Sequence, residues 1–84
     1  MEIDEALEKY HKLLIVQQHG NVTAIYCIYT AEKIGFVVRD INGIRVYKGY
    51  ENLVYSSKSA IADGICVLCE LVEAYIATKL WRRT

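Results

Sequence analysis

Apolar and polar positions divide the chain into three differently patterned stretches. From Ile3 to Gln18, the residues Ile3, Leu7, Tyr10, Leu14 and Gln17 recur at three- and four-residue spacing, while Glu5 with Lys9 and Glu8 with Lys12 form outward i,i+4 pairs in the favourable order. This spacing predicts an amphipathic helix, with Asp4 in its first turn and His19-Gly20-Asn21 as its stop. From Val22 to Thr30 and from Ile34 to Ile41 β-branched and aromatic residues dominate, so each run predicts a strand, with Ala31-Glu32-Lys33 between them. Asn42-Gly43 then precedes a third run, Ile44 to Tyr50, and is the pair that favours a two-residue type I′ turn.

With Asn42 and Gly43 as the two turn residues, Ile41 opposes Ile44, Asp40 opposes Arg45, Arg39 opposes Val46 and Val38 opposes Tyr47. One sheet face then carries Ile34, Phe36, Val38 and Tyr47 and is assigned to the core because it is continuous and aromatic. The other carries Val37, Ile41, Ile44 and Val46, interrupted by Arg39 and Lys48, and is left as a half-apolar outer surface. Gly49 to Asn52 reads as a bend, and Leu53-Val54-Tyr55 as a short fourth strand or an extension of the third.

The last third, Ala60 to Leu80, reads as one long helix. Ser57 is its expected N-cap, with Lys58 in the first turn. Ile61, Ile65, Leu68, Val72, Tyr75 and Ile76 form a broad apolar stripe, and Val67, Leu71, Ala74 and Trp81 a second one. A helix on one side of a small domain needs one stripe; the second predicts a surface covered by another protein or another copy. The reading is an α+β fold of order α-β-β-β-α. A three-stranded antiparallel sheet, or four-stranded with Leu53 to Tyr55, carries two helices packed on one face, in a single domain spanning 1–84.

Composition sharpens this reading. The chain is 54% hydrophobic, with seven tyrosines and no proline, which excludes a low-complexity or disordered class. Ten basic residues balance ten acidic ones, so no overall field draws the chain to nucleic acid or an anionic membrane. Acidic residues Glu2, Asp4, Glu5 and Glu8 occupy the position of a secretory leader, and Asp63, Glu70 and Glu73 interrupt the most apolar stretch. With an odd count of three cysteines, the expectation is a cytoplasmic protein with reduced thiols and no membrane partner.

Candidate chemistry is sparse. Cys66-Val67-Leu68-Cys69 is a CxxC, but it lies about two turns into the predicted helix, not at the N-terminus where free amides acidify a thiol. His11, His19 and Cys27 lack the paired spacing of a zinc site, and neither histidine has the neighbours of a triad. No phosphate-cradling glycine cluster is present. No enzyme activity, cofactor or metal is therefore expected. The tyrosines carry more weight, because a large ring with a hydroxyl suits a protein interface and also stacks nucleobases.

Two resemblances follow from particular residues. Element order and Ser57-Lys58 at the start of the final helix are similar to the double-stranded-RNA-binding domain, where a serine-lysine motif meets phosphates. FVVRDING and YSSKSAIADGICV, within about residues 36–67, resemble the YegP-like family of small bacterial domains. That second resemblance rests on a turn and a cap and implies no chemistry.

The sequence thus favours a small non-enzymatic association module, an adaptor, inhibitor or regulator of the kind that viruses and mobile elements also encode. It is expected to be homodimeric or to bind another protein. Its interface is expected on Val67, Leu71, Ala74 and Trp81 of the helix, on Val37, Ile41, Ile44 and Val46 of the sheet, or on both. The alternative is a nucleic-acid binder using the sheet tyrosines with Arg39, Lys48 and Lys58, or the Lys79, Arg82 and Arg83 end.

Overall fold

Five strands, rather than three or four, form the sheet. The computed structural model describes residues 2–80, so Trp81, Arg82 and Arg83 lie outside the described residues. The chain opens with α1 (Glu2–Leu7) and a 3₁₀ turn (Glu8–Tyr10), then runs through β1 (Leu14–His19), β2 (Val22–Cys27), β3 (Lys33–Asp40), β4 (Gly43–Lys48) and β5 (Asn52–Ser57). It continues into α2 (Ile61–Tyr75) and a π-helical turn (Ile76–Leu80). The strands form one antiparallel meander, in spatial order β1-β2-β3-β4-β5.

The expected N-terminal helix therefore stops early, and the α-β-β-β-α order is corrected to five consecutive strands after a short helix. Ile15 and Val16 are β-branched, and Gly20, at φ +57, supplies the positive φ that turns the chain back after His19. Leu14 to His19 consequently pairs with Val22 to Cys27 along its whole length. Six residues make a helix too short to stand alone. Burial of Ile3 and Leu7 in the core holds α1 in place. Just beyond it, the Tyr10 hydroxyl donates to the Glu73 carboxylate, and Lys9 Nζ lies 3.5 Å from the same group.

A second correction concerns the β3–β4 turn. Asp40 pairs with Gly43, so the residues at the bend are Ile41 and Asn42. Among the described residues Ala31 is the non-glycine with positive φ, so Asn42 does not adopt the left-handed conformation that a type I′ turn requires. Asp40 Oδ1 instead accepts the Asn42 N–H at 2.8 Å, and the positive φ falls on Gly43, at +115. This is the pattern of a type I bend followed by a glycine bulge. It moves each pairing by two residues: Phe36 opposes Tyr47, Val37 opposes Val46, Val38 opposes Arg45 and Arg39 opposes Ile44.

A two-residue shift keeps the same side chains together on each face, so the difference from expectation lies in which face is buried. Val37, Ile44 and Val46 lie in the core beneath α2, together with Ile25 and Cys27 of β2. Phe36, Val38 and Tyr47 face the other way. Ile34 still reaches the core because it is the extra residue of a bulge, where Ile25 pairs with Gly35 and Tyr26 with Lys33.

From the helix side, α2 contributes the buried residues Gly64, Ile65, Leu68 and Val72, followed by Ile76. Gly64 marks the closest approach, since a Cβ there would sit 2.8 Å from Ile44 Cδ1. The helix begins later than expected. Ser57 ends β5, and its Oγ accepts the N–H groups of Ser59 and Ala60 at 3.3 and 3.0 Å, shaping the bend that leads into Ile61. Gly43 packs against Ser57 and Lys58, so the Asn-Gly and Ser-Lys motifs adjoin in space.

Candidate functional site

Both helices and the buried core belong to one side of the sheet, and the described residues place no element over the other. Alternation along the strands puts Ile15, Val22, Ala24, Tyr26, Phe36 and Val38 on this open face, with Tyr47 and Leu53 beyond them. Phe36 and Tyr47, directly opposite across β3 and β4, stack with centroids 4.4 Å apart and planes 7° from parallel. Ala24 pairs with Phe36 from the β2 side and is itself covered, so the small residue lies beneath larger neighbours. Toward the margins Leu53 is 51% exposed and Tyr50 72%.

The charged groups of this face are already matched. Lys33 Nζ lies 4.4 Å from the centroid of the Phe36 ring, 5.6 Å from that of Tyr50 and 5.9 Å from that of Tyr26, a cation over an aromatic cluster. Arg45 Nη2 meets Asp40 Oδ2 at 3.2 Å, the ion pair expected at the hairpin tip although the two residues are diagonal rather than opposed. An aromatic and aliphatic surface results, with one ion pair at its tip and the Lys33 charge held against rings.

The sequence-predicted interface is divided. Val37 and Ile44 are 1% exposed and Val46 0%, so they hold the fold together instead of presenting a surface. Ile41 projects fully exposed from the hairpin tip. On α2, Val67 and Leu71 are half-buried against the margins of the core and Ala74 is exposed. The fold thus takes up part of the second strip of α2, at Val67 and Leu71. The residues missed as a surface are Phe36, Tyr47, Lys33, Ile15 and Leu53. Gly64 was the signal that could have found the first two, because a glycine in the buried stripe of α2 calls for a close approach to a β-branched face and not to a pair of rings.

The candidate nucleic-acid contacts are also spread. Lys48 and Lys79 border a recess of about 220 Å³ walled by Ile34, Leu71, Tyr75 and Thr78. Arg39 lies near the opposite end of α2, beside Ile61 and Cys66, and Lys58 is exposed on the approach to that helix.

Elsewhere the polar groups serve the fold. Tyr75 OH donates to Glu32 Oε1 at 2.7 Å and lies 2.8 Å from Thr30 Oγ1. Burial, reinforced by the Glu32 carboxylate and opposed by the Thr30 hydrogen bond, pushes the Tyr75 phenol up to about 12. Burial also pushes the Cys27 thiol up, but hydrogen bonds from the Thr30 hydroxyl and the Thr30 and Tyr29 amides outweigh it and leave the thiol below its ordinary value. Cys27 has no exposed surface. Cys66 is exposed, while the Cys69 thiol donates to Ala6 O at 3.9 Å. Among the described residues no three His, Cys, Asp or Glu side chains gather as a metal site would need, and no helix is long and apolar enough to cross a membrane.

Comparison of the chain with protein-family models, with curated proteins and with solved structures finds no match.

Proposed function

We propose that this protein is a non-enzymatic association module that works as a homodimer, with two copies meeting through the open faces of their sheets. The observation that carries the reading is the uncovered face around Phe36 and Tyr47. Five strands at about 4.8 Å spacing and six residues at about 3.3 Å rise give a flat area on the order of 500 Å², which side-chain relief raises toward the ~800 Å² per partner of an ordinary stable interface. A twofold pair sets each patch against its own copy. Uncompensated charge would then repel, so the neutralisation of Arg45 by Asp40 favours a second copy as the occupant, with the Lys33 charge drawn aside against its own rings. Sheets packed this way lie ~10 Å apart with interleaved side chains. The three free thiols suit a reducing, cytoplasmic setting.

The test is sedimentation equilibrium on the wild type and on Leu53→Lys, a position exposed enough for the fold to tolerate the change. A lysine buried against the partner face should weaken association by about 100-fold, on the order of 3 kcal/mol. An unchanged dissociation constant, or a wild type that stays monomeric at high micromolar concentration, refutes the sheet-face dimer.

A second reading has one observation in its favour: Lys33 surrounded by Tyr26, Phe36 and Tyr50 on an open sheet is the kind of platform on which single-stranded nucleic acid stacks. Against it, Phe36 already has a stacked ring and an ammonium over its π surface, which leaves little face for a base. Titration with a fluorescent single-stranded oligonucleotide at two salt concentrations separates the readings. Salt-dependent binding lost in Lys33→Met favours nucleic acid.

A further inference from the structure

The outer edge of β1 is a bare hydrogen-bonding edge. This strand closes the sheet on one side and, among the described residues, pairs with β2 alone. The phase of that pairing follows from one bond beyond the strand: Ile28 N–H donates to Leu13 O at 2.9 Å, and Leu13 opposes Ile28 when the β1–β2 register is extended. Odd-numbered residues of β1 therefore turn their N–H and C=O groups toward β2, and those of Leu14, Val16 and Gln18 point outward. Among the described residues no backbone hydrogen bond takes them up.

Exposed sheet edges are ordinarily blunted by a lysine, a proline, a bulge or a covering segment. β1 reads Leu-Ile-Val-Gln-Gln-His, with no lysine, acid or proline, and its register with β2 is unbroken. The opposite edge differs, because β5 is bulged against β4 between Val46 and Tyr47. Ile15 and Val16 are exposed on the unprotected strand.

We infer that β1 pairs antiparallel with β1 of a second copy about a twofold axis, joining two five-stranded sheets edge to edge. This goes beyond the face-to-face dimer and uses a different surface. The strand is complementary to itself in the register that places Val16 opposite Val16 of the second copy and Leu14 opposite Gln18. Outward-facing groups then meet outward-facing groups throughout, giving about six N–H···O bonds. No like charges oppose one another, and on the open face Ile15 sits across from Gln17. Beside the edge, a recess of about 410 Å³ walled by Leu7, Leu14 and Val16 under the Asp4 to His11 segment leaves room for the Val16 side chain of the second copy. Edge pairing leaves both open faces free and coplanar, so edge and face contacts together close a tetramer with mutually perpendicular twofold axes.

The test combines light scattering with amide hydrogen exchange on the wild type, Val16→Pro, Val16→Lys and Leu53→Lys. Proline at position 16 removes an N–H that the monomer does not use, and lysine there places like charges across the twofold axis, so both spare the fold. The wild type is expected to be a tetramer in which the Leu14, Val16 and Gln18 amides are protected at least 100-fold. Each Val16 variant should halve the mass and expose the remaining amides, and Leu53→Lys should halve the mass while leaving them protected. Rapid exchange of these three amides in the wild type, or a mass insensitive to both Val16 variants, overturns the edge pairing. A dimer dissociated by Leu53→Lys alone then keeps the face contact and rejects the edge; one dissociated by the Val16 variants alone does the reverse.

Discussion

Gly43 and Gly20 both have positive φ, yet alanine should affect them very differently. At Gly20, φ is +57, inside the left-handed well that non-glycine residues can enter, and nothing lies within 4 Å of an added Cβ. Gly20→Ala should therefore cost only the conformational penalty, about 1 kcal/mol. At Gly43, φ is +115, outside that well, and a Cβ would fall 2.0 Å from Ser57 O and 2.6 Å from Lys58 Cα. Both obstacles are backbone, so β4 must separate from the end of β5 to admit a methyl group. Strain of ~1–3 kcal/mol and overpacking of a further ~1–3 kcal/mol bring Gly43→Ala to about 2–6 kcal/mol. For a domain of this size each kcal/mol lowers Tm by about 4–8 °C, so the Gly20 variant should melt slightly early and the Gly43 variant at least roughly 10 °C below the wild type. Thermal and urea unfolding followed by circular dichroism provide the measurement, with unchanged m-values as the check that the variants unfold comparably. Equal shifts for the two alanines would refute both the placement of positive φ on Gly43 and the close passage of Ser57, and with them the β3–β4 register.

Two further predictions probe the core and its polar margin. Gly64→Ala should destabilise despite alanine's better helix propensity of about 1 kcal/mol, because its Cβ would press on Ile44 Cδ1; in an Ile44→Ala background it should become neutral or stabilising. A double-mutant cycle by urea unfolding should return a coupling of about 1–2 kcal/mol, and zero coupling contradicts the packing. For Tyr75, burial and Glu32 raise the folded-state pKa from 10.0 to about 12, so the fold favours the neutral phenol. Its contribution is complete below pH 10 and is lost as pH rises through about 12, because the unfolded chain releases the proton first. The wild type should lose more stability than Tyr75→Phe across that window, and parallel Tm-versus-pH curves count against the buried hydrogen bond.

What the sequence made legible, and what it hid, turns on local competition between patterns. The α2 stripe of Ile61, Ile65, Leu68, Val72 and Ile76 was readable because a long helix averages over many residues, and the β2, β3 and β4 runs because β-branched and aromatic residues cluster in them. The N-terminal helix was overextended because Leu14 and Gln17 continue the spacing of Ile3, Leu7 and Tyr10. Tertiary pairing with β2 overrides that weak helical pattern where Ile15 and Val16 favour extended backbone. β5 was underread because its burial comes from one side only, leaving Leu53 and Val54 exposed.

The functional conclusion depends on which face of the β3–β4 hairpin meets the helices. Both faces of the β3–β4 hairpin are apolar, so hydrophobic pattern alone could not choose which one meets the helices, and the decision falls to packing against α2. The Asp40 carboxylate engages the Asn42 amide and moves the bend one residue toward the N-terminus, which shifts each pairing by two residues and leaves the membership of the two faces unchanged; the difference is in which face α2 covers. Val37, Ile44 and Val46 pass from the surface to the core, while Phe36 and Tyr47 pass from the core to the surface. The smaller, β-branched set suits a layer that must admit Gly64 against Ile44, where bulky rings would hold α2 away from the sheet. The aromatic set, excluded from that layer, stacks on itself and seats Lys33. The close approach of the helix and the aromatic open face are thus two consequences of one packing choice, made where Gly64 of α2 meets Ile44.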